Sequence, residues 1–325
     1  MEEKLVKIIN EMADYLNIAQ MKKLQEVLIK NLSDARPEKE QISNEEYLKM
    51  FIEAKQIEGC SARTLQYYQV TIDHLLKNTD TMIRKITTDE IRTYLAEYQQ
   101  RNNCSKVTVD NVRRNISSFF SWLEEEDYIL KSPMRRIHKI KTKQPVKEII
   151  SDEVIERLRD NCRCSRDLAM IDLLYSTGIR VGELVGLNIS DIDFEERECV
   201  VYGKGDKERC VYFDAKAKLH LQNYINSRTD TNPALFVTLD SPYERLKISG
   251  VEIRVRELGR KLNIEKIHPH KFRRTMATRA IDKGMPIEQV QKILGHSQIG
   301  TTMQYAIVNQ NNVKTSHRRD RKSVV

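Results

Sequence analysis

The chain has 325 residues, of which 40% are hydrophobic and 31% are charged. That apolar content is too high for a disordered protein, and the length allows about two domains with cores of their own. Its 11 glycines and 7 prolines are few, which argues against a turn-rich all-β fold and predicts a mainly α protein. A formal charge of +8 and a pI near 9.0 favour acidic partners, depending on where the cations lie.

Cysteine usage and hydropathy bear on the compartment. The six cysteines are scattered without the spacing of a disulfide framework. No secretory leader and no apolar run long enough to span a bilayer is evident. These features predict reduced thiols, a cytoplasmic location and no membrane partner.

Residues 1–40 form a segment apart from the rest of the chain. Apolar residues recur at helical spacing from Leu5 to Leu28 and predict one or two amphipathic helices that end near Asn31. Their polar face mixes Glu with Lys instead of forming a basic stripe. Packing or oligomerisation is therefore favoured, and an arm that contacts nucleic acid is the alternative.

Residues 42–130 are typical of a small helical domain. The predicted helices are Glu45–Gln56, Ser61–Lys77, Thr87–Gln100 and Ser105–Glu126. Thr87 and Glu90 fit a capping box at the start of the third helix. The last helix has an apolar stripe around Trp122, which predicts its core side. Arg113 and Arg114 lie off that stripe, where they can meet a phosphate backbone.

A basic stretch at 131–150 marks a domain boundary. Residues 131–147 contain two prolines and no acidic residue. A solvated linker is one interpretation, and the favoured one is a strap that crosses DNA. Each phosphate that such a strap neutralises would contribute about −0.9 to the slope of log K against log salt concentration. Its candidate DNA-binding cations are Arg135, Arg136, Lys139, Lys141 and Lys143.

Residues 151–306 predict a larger second domain, followed by a polar basic tail at 307–325. Its strands are predicted at 198–202, 210–213 and 235–239. Helices are predicted at 152–160, 166–176, 215–227, 248–262, from 268 onward, at 287–294 and up to Tyr305. Gly205–Asp206 suits a tight hairpin tip between the first two strands. The predicted fold class is therefore mainly α with a small β-hairpin or sheet, an α+β arrangement.

Four stretches of this domain hold the residue types that an attack on a phosphodiester requires. They are TGIRVGEL at 177–184, GKGDKER at 203–209, HPHKFRRTMAT at 268–278 and LGHSQIGTTMQY at 294–305. Any one of these residues alone is structural more often than catalytic, but the ordered set is specific. The catalytic candidates are Arg180, Lys204, His270, Arg273, His296 and the nucleophile Tyr305, with Glu183 as a support.

The residue types match the charge that develops during such an attack. Negative charge gathers on two non-bridging oxygens, and arginine offers fixed charge and a planar fork of donors, which favours Arg180 and Arg273 as the clamp. A structural ion pair between Arg180 and Glu183 is the simpler interpretation of their three-residue spacing. Lys204 on a hairpin can protonate the leaving 5′ oxygen, which is worth roughly 10² to 10⁴ in rate.

Tyrosine is a weak nucleophile unless a neighbour takes its proton, since its ordinary pKa is about 10. His270 is the candidate base, and His296 the candidate donor to the phosphate. Arginines and histidines in these roles replace the two-metal clamp of many nucleases, so no cofactor is expected.

With these motifs in place, residues 150–310 resemble the catalytic domain of the tyrosine recombinases, the phage integrase family. Residues 42–130 resemble, less specifically, the helical SAM-like core-binding domain of that family. The resemblance implies a C-shaped clamp on double-stranded DNA that carries specific recombination sites. It also implies a 3′-phosphotyrosine link to Tyr305, a free 5′ hydroxyl and rejoining without metal or ATP.

The resemblance further implies strand exchange on a homo-tetramer through a Holliday junction, with 307–325 docking into a neighbouring subunit. A nucleoid-associated enzyme of a mobile element, a transposon or prophage, is the expected role, and an accessory directionality factor is left open as a partner. Xer-type dimer resolution and DNA inversion are the alternatives. A type IB topoisomerase and a non-catalytic DNA-binding regulator are more distant ones.

Two departures from the family pattern stand out. Lys271 and Phe272 separate His270 from Arg273, and Arg274 stands where the family commonly has histidine. No loss of activity is expected, because neither position should touch the phosphate. The first 40 residues do not match the small β-sheet arm domain of lambda-type integrases, which leaves arm-site binding in doubt.

Overall fold

The computed structural model divides into two compact units, Met1–Gln144 and Pro145–Val325. It describes residues 8–13, 15–32, 42–79, 81–142, 148–203, 208–264 and 266–306, with the backbone alone for 29–32. Helices dominate both units and the only named strands of the described residues form one small sheet, so the predicted fold class is confirmed. No helix among these residues is long and apolar enough to cross a membrane.

The first unit is helical throughout its described part. Residues 8–12 are helical, and the longer elements are α1 (Ile18–Leu32), α2 (Asn44–Ile57), α3 (Ala62–Lys77), α4 (Thr88–Arg101) and α5 (Lys106–Glu125). Short 3₁₀ turns lie at Ile83–Lys85 and Pro133–Arg136. Ser43 and Thr87 begin α2 and α4 with capping boxes, in which hydroxyl and glutamate side chains satisfy the backbone N–H groups that a helix start leaves unpaired.

An aromatic cluster lies within the apolar core of this unit. Phe51 on α2 meets Tyr68 and Phe119 edge to face, with ring centroids 5.2 Å apart in each pair. Trp122 packs against the same phenylalanine at 5.6 Å. Edge-to-face contact suits the ring quadrupoles and adds to the hydrophobic gain. The apolar stripe of α5 therefore faces the core, as its spacing predicts.

The second unit surrounds one buried helix. Its helices are α6 (Asp152–Asp160), α7 (Ser165–Thr177), α8 (Val181–Gly186), α9 (Ala215–Asn226), α10 (Ile248–Lys261), α11 (Pro269–Asp282), α12 (Ile287–Leu294) and α13 (Ile299–Ala306). α7 packs against α9 and α11 and is buried on most of its faces. Gly178 ends α7 in the left-handed region, φ +63°, so the chain turns sharply before α8. That turn brings Arg180 to the start of α8.

The sheet of this unit has three antiparallel strands, β1 (Ile192–Asp193), β2 (Glu198–Tyr202) and β3 (Glu208–Tyr212). The pairing of Tyr202 with Glu208 makes β2 and β3 a hairpin, whose predicted tip lies outside the described residues. The strand predicted at 235–239 is wrong. Phe236 and Val237 are buried and apolar, but the segment makes only an isolated bridge from Val237 to Arg245. Its backbone bonds go to loops at Leu187 and Glu244, and no neighbouring strand continues the ladder.

Candidate active site

Arg180 and Glu183 form the ion pair that their spacing predicts. Arg180 precedes α8, and its backbone N–H donates to Glu183 Oε2 at 2.7 Å. Arg180 Nη1 donates to Glu183 Oε1 at 2.8 Å. Because the carboxylate holds both the backbone and the guanidinium, it fixes the direction in which this half-exposed arginine points.

A second arginine that sequence reasoning gave no role completes this arrangement. Arg209 on β3 donates Nη1 to Glu183 Oε1 at 2.8 Å and Nη2 to Glu183 Oε2 at 2.7 Å. Burial raises the pKa of the Glu183 carboxyl, but the hydrogen bonds from Arg209 and Arg180 outweigh it and hold that pKa below its ordinary value. The signal was the strand period: Arg209 lies two residues before buried Val211, on the inward face of β3.

Arg273 lies deepest in the site, with 2% of its surface exposed. Nη1 donates to the carbonyl of Gly178 at 2.8 Å, and Nη2 donates to the carbonyl of Leu294 and to His296 Nε2, the latter at 3.0 Å. Burial and the nearby Arg180 lower the pKa of Arg273 to about 10, so its charge persists at neutral pH. A buried cation held mainly by carbonyls is well suited to receive an anion.

His296 follows the turn that ends α12. Since a guanidinium has no lone pair to offer, Nε2 of His296 must be the acceptor from Arg273, and Nδ1 carries the proton toward Thr302 Oγ1 at 2.9 Å. Burial, with Arg273 and Arg180 nearby, lowers the pKa of His296 to about 4. The ring is therefore neutral at pH 7 in this arrangement. The fully buried Thr302 fixes its orientation, a role that sequence reasoning missed.

Tyr305 packs beside this histidine within the same chain. The two rings stack with centroids 6.1 Å apart and an interplanar angle of 27°. Tyr305 is 7% exposed and shares a small apolar cluster with Val290 and Leu294 of α12. The α12–α13 hairpin thus places a phenol next to the histidine and the buried arginine.

Of the remaining two catalytic candidates, the structure describes His270 but not Lys204. His270 is exposed on the first turn of α11, its ring stacked on that of His268 with centroids 6.4 Å apart. It lies near enough to contribute to the lowered pKa of His296. Lys204 lies outside the described residues. Five of the six candidates are therefore placed, and four of them, Arg180, Arg273, His296 and Tyr305, form one connected group.

A cleft of about 1140 Å³ opens beside this group, at Arg180 and His296. Among its lining residues are Arg180, Arg209, Tyr212, Gly295 and His296. The described lining also includes Lys292 and one carboxylate, Glu208. Buried Arg273 and Glu183 contact lining residues from behind, so positive charge exceeds negative charge at this surface. Such a surface favours a tetrahedral anion with several oxygens, since planar guanidinium groups bind phosphate through paired hydrogen bonds.

The candidate DNA-binding residues of the first unit are not equivalent. Arg113 is largely buried and donates Nε to Asp110 at 2.8 Å, and the same carboxylate accepts the backbone N–H of Ile140 at 3.0 Å. Arg113 therefore neutralises the carboxylate that holds the linker at Ile140. The exposed Arg114 pairs with the same Asp110 at 3.8 Å. Arg135 donates to Glu124. Exposed side chains without such a described ion pair belong to Arg136, Lys139 and Lys141, and Lys143 lies outside the described residues.

Comparison with known proteins agrees with this geometry. Residues 148–312 match the phage integrase family, and 47–130 match the N-terminal SAM-like domain of phage integrases. Tyrosine recombinase XerC of Leptospira interrogans is 31% identical over 87% of this chain and 95% of its own length. XerC of Oceanobacillus iheyensis is 29% identical over 83% of this chain and 94% of its own.

Solved structures of the same fold include the Tn1549 transposon integrase in complex with a circular intermediate DNA. It superposes with a TM-score of 0.70 at 19% identity, covering 84% of this chain and 99% of the integrase. The fold and the arginine, histidine and tyrosine group define the class. The chain belongs to the phage integrase family and is a site-specific tyrosine recombinase. The predicted family and enzyme class are confirmed.

Proposed function

We propose that the protein cleaves and rejoins double-stranded DNA at specific sites through a 3′-phosphotyrosine on Tyr305. The observation that carries this proposal is the chain of contacts in which Tyr305 stacks on His296 and His296 accepts from Arg273. A phosphate held by Arg273 and Arg180 would therefore lie on the side of the site where Tyr305 packs against His296. No other tyrosine of the described residues stacks on a histidine that an arginine holds in this way.

The proposed step forms the Tyr305 Oη–phosphorus bond as the bond from phosphorus to the 5′ oxygen breaks. The phenol proton passes to His270, and the leaving 5′ oxygen takes a proton from Lys204. Rejoining reverses both transfers. Arg180 and Arg273 stabilise the charge on the non-bridging oxygens, and Glu183 directs Arg180.

His296 needs a proton on Nε2 to donate to the phosphate. In the structure that nitrogen accepts from Arg273, and the proton lies on Nδ1. A bound phosphate that draws the Nη2 donor of Arg273 toward itself would free Nε2, and its negative charge would raise the pKa of the ring. The proposed donor role of His296 therefore depends on binding of the anion.

The candidate assembly is a homo-tetramer on two paired sites, with exchange through a Holliday junction and 307–325 docked into a neighbour. Integration or excision of a mobile element is the proposed role. Xer-type resolution is a second candidate, because the curated relatives that cover most of this chain are named XerC. Recombination between two sites on one plasmid, in direct and in inverted orientation, separates excision or resolution from inversion.

The direct test uses a duplex with a nick beside the scissile phosphate, so that the short 5′-hydroxyl strand diffuses away. The unchanged protein should accumulate a covalent adduct that survives denaturing electrophoresis, and Tyr305→Phe should form none. Tyr212→Phe is the matched control, because Tyr212 lines the same cleft and has no proposed role. An adduct with Tyr305→Phe, or its loss with Tyr212→Phe, would reject the assignment of the nucleophile.

Two further outcomes identify the competing classes. Relaxation of supercoiled DNA that lacks paired sites would indicate a topoisomerase. Sequence-specific binding with no adduct on the cognate site would indicate a regulator without catalysis.

A further inference from the structure

Three successive carbonyl groups at the end of α12 each accept a hydrogen bond from a different arginine. Ile293 accepts from Arg209 Nε at 2.8 Å, Leu294 accepts from Arg273 Nη2, and Gly295 accepts from Arg180 Nη2 at 3.2 Å. The last carbonyls of a helix have no partner within the helix and carry its negative dipole end. The carbonyl groups at this helix end therefore hold all three guanidinium groups, directly before His296 in the chain.

Arg209 is the member of this trio that joins the most parts of the site. Its fork holds both oxygens of Glu183, and its Nε holds the turn before His296, so all three of its nitrogens are engaged. Its side chain is 12% exposed and its partner Glu183 is 4% exposed. Paired, buried and charged, this fork has little freedom to move.

Gly295 shows how closely Arg209 approaches this turn. A Cβ on Gly295 would lie 3.0 Å from both Cδ and Nη1 of Arg209, tighter than ordinary van der Waals contact. Gly295 also has φ +62°, a conformation that other residues adopt with strain. Two features therefore favour glycine at this position: the left-handed backbone and the close approach of the Arg209 guanidinium.

We propose that Arg209 is a positioning residue for the phosphate clamp. It fixes Glu183, which directs Arg180, and at the same time it fixes the α12–α13 turn that carries His296. Loss of Arg209 leaves Glu183 with one arginine and Ile293 without this donor, so both sides of the clamp shift. Misplacement by about 1 Å in such a site costs on the order of 10²-fold in rate. This role rests on the proposed phosphotyrosine chemistry.

The test measures adduct formation on the nicked duplex at saturating protein, with affinity measured separately by fluorescence anisotropy. Arg209→Ala should slow the adduct about 10²-fold and change the affinity less than about threefold. Arg209→Lys should recover part of the rate, because lysine keeps the charge but presents no fork. It also serves if the alanine variant fails to fold, which thermal melting reveals.

A second duplex distinguishes positioning from general loosening of the fold. It carries a methylphosphonate at the scissile position, where a methyl group replaces one charged oxygen and less cationic stabilisation is required. A deficit caused by a misplaced Arg180 should shrink to less than about tenfold on this duplex, because the clamp then has less charge to stabilise. An equal deficit on both duplexes would overturn the positioning role.

Arg228 offers a matched control in the same unit. It holds Asp230 with two donors and also donates to backbone carbonyls, and its side chain is 6% exposed. Arg228→Ala should lower the melting temperature and leave the adduct rate within about threefold. If Arg228→Ala slows the adduct as much as Arg209→Ala, the effect is stability and the proposal fails. If the unchanged protein forms no adduct, the proposed function fails and the positioning role fails with it. If the unchanged protein forms the adduct and Arg209→Ala forms it at the same rate, only the positioning role fails.

Discussion

The two units bury different kinds of side chain. Among the described residues of the first unit, Asp110 is the one buried charged side chain, and the core combines aliphatic side chains with a cluster of aromatic rings around Phe51. The second unit buries three carboxylates, Asp167, Asp172 and Glu183, each bonded to two basic side chains. The first unit is stabilised by apolar packing, whereas the second places charge in its interior.

The difference between the units shows where side-chain positions are fixed by buried ion pairs. A buried ion pair contributes little net stability, because desolvation offsets its attraction, but removing one partner leaves a costly unpaired charge. Such pairs therefore hold side chains in one arrangement more than they strengthen the fold. One of the three, Glu183, holds Arg180 and Arg209 of the proposed clamp, so the second unit has a buried pair where the proposed chemistry needs fixed guanidinium groups.

The largest effect should follow from Arg273→Ala. It removes a buried cation from the proposed clamp and leaves the carbonyls of Gly178 and Leu294 without this donor. Adduct formation should fall by about 10³-fold at saturating DNA. Arg113→Ala, which removes the arginine on Asp110 in the first unit, is the control and should alter affinity more than rate. A fall of less than tenfold for Arg273→Ala would break the contrast between the units.

Phe51→Ala tests the other side of the contrast. Phe51 is fully buried at the centre of the aromatic cluster, and its truncation should lower the free energy of unfolding by about 3 to 4 kcal/mol. Urea unfolding followed by Trp122 fluorescence measures this loss, since the only tryptophan lies in the same cluster. At saturating DNA the adduct rate should change by less than about threefold. A rate loss comparable to that of Arg273→Ala would show that the cluster also fixes the site.

The sequence predicted well what local chemistry decides. The four predicted helices of the first domain end within about two residues of those found, and the capping box at Thr87 is present, because caps and apolar periodicity act within a few residues. The prediction that Gly178 ends the helix before Arg180 is also correct, because a glycine acts locally on the backbone. The order of the four motifs also identifies the proposed catalytic residues without any knowledge of their contacts.

What the sequence did not predict depends on contacts between distant residues. Arg209 reaches Glu183 across 26 positions and Ile293 across 84. The strand period gives the inward face of Arg209, but no local pattern says which distant residues it contacts there. The false strand at 235–239 has the same cause. Its apolar run is buried, but whether a buried run forms a strand depends on whether a partner strand lies alongside.

A third prediction concerns pH and His296. Its folded pKa of about 4 lies below the ordinary 6.5, so the neutral ring is favoured and its contribution to stability is complete above about pH 6.5. That contribution is lost as the pH falls from 6.5 toward 4. After allowing for partial exposure, we expect a loss of about 1 kcal/mol between pH 7 and 5.

His296→Asn should remove this part of the acid sensitivity, as urea unfolding of both proteins at pH 7 and 5 would reveal. The difference between the two proteins isolates the histidine from the carboxylates, which both proteins share. If both lose the same free energy over this interval, burial and the nearby charge of Arg273 do not depress the pKa of His296 as the geometry indicates.

The smallest effect separates exposed cations from engaged ones within the first unit. Lys139→Gln should reduce the steepness of log K against log salt concentration by about 0.9, provided that Lys139 contacts a phosphate. Arg135 already donates to Glu124, so its replacement by glutamine removes a cation that a carboxylate partly neutralises. Its change in slope should therefore be the smaller of the two. Equal changes would mean that DNA displaces Glu124, and that this surface pair, unlike the buried pairs of the second unit, holds nothing in place.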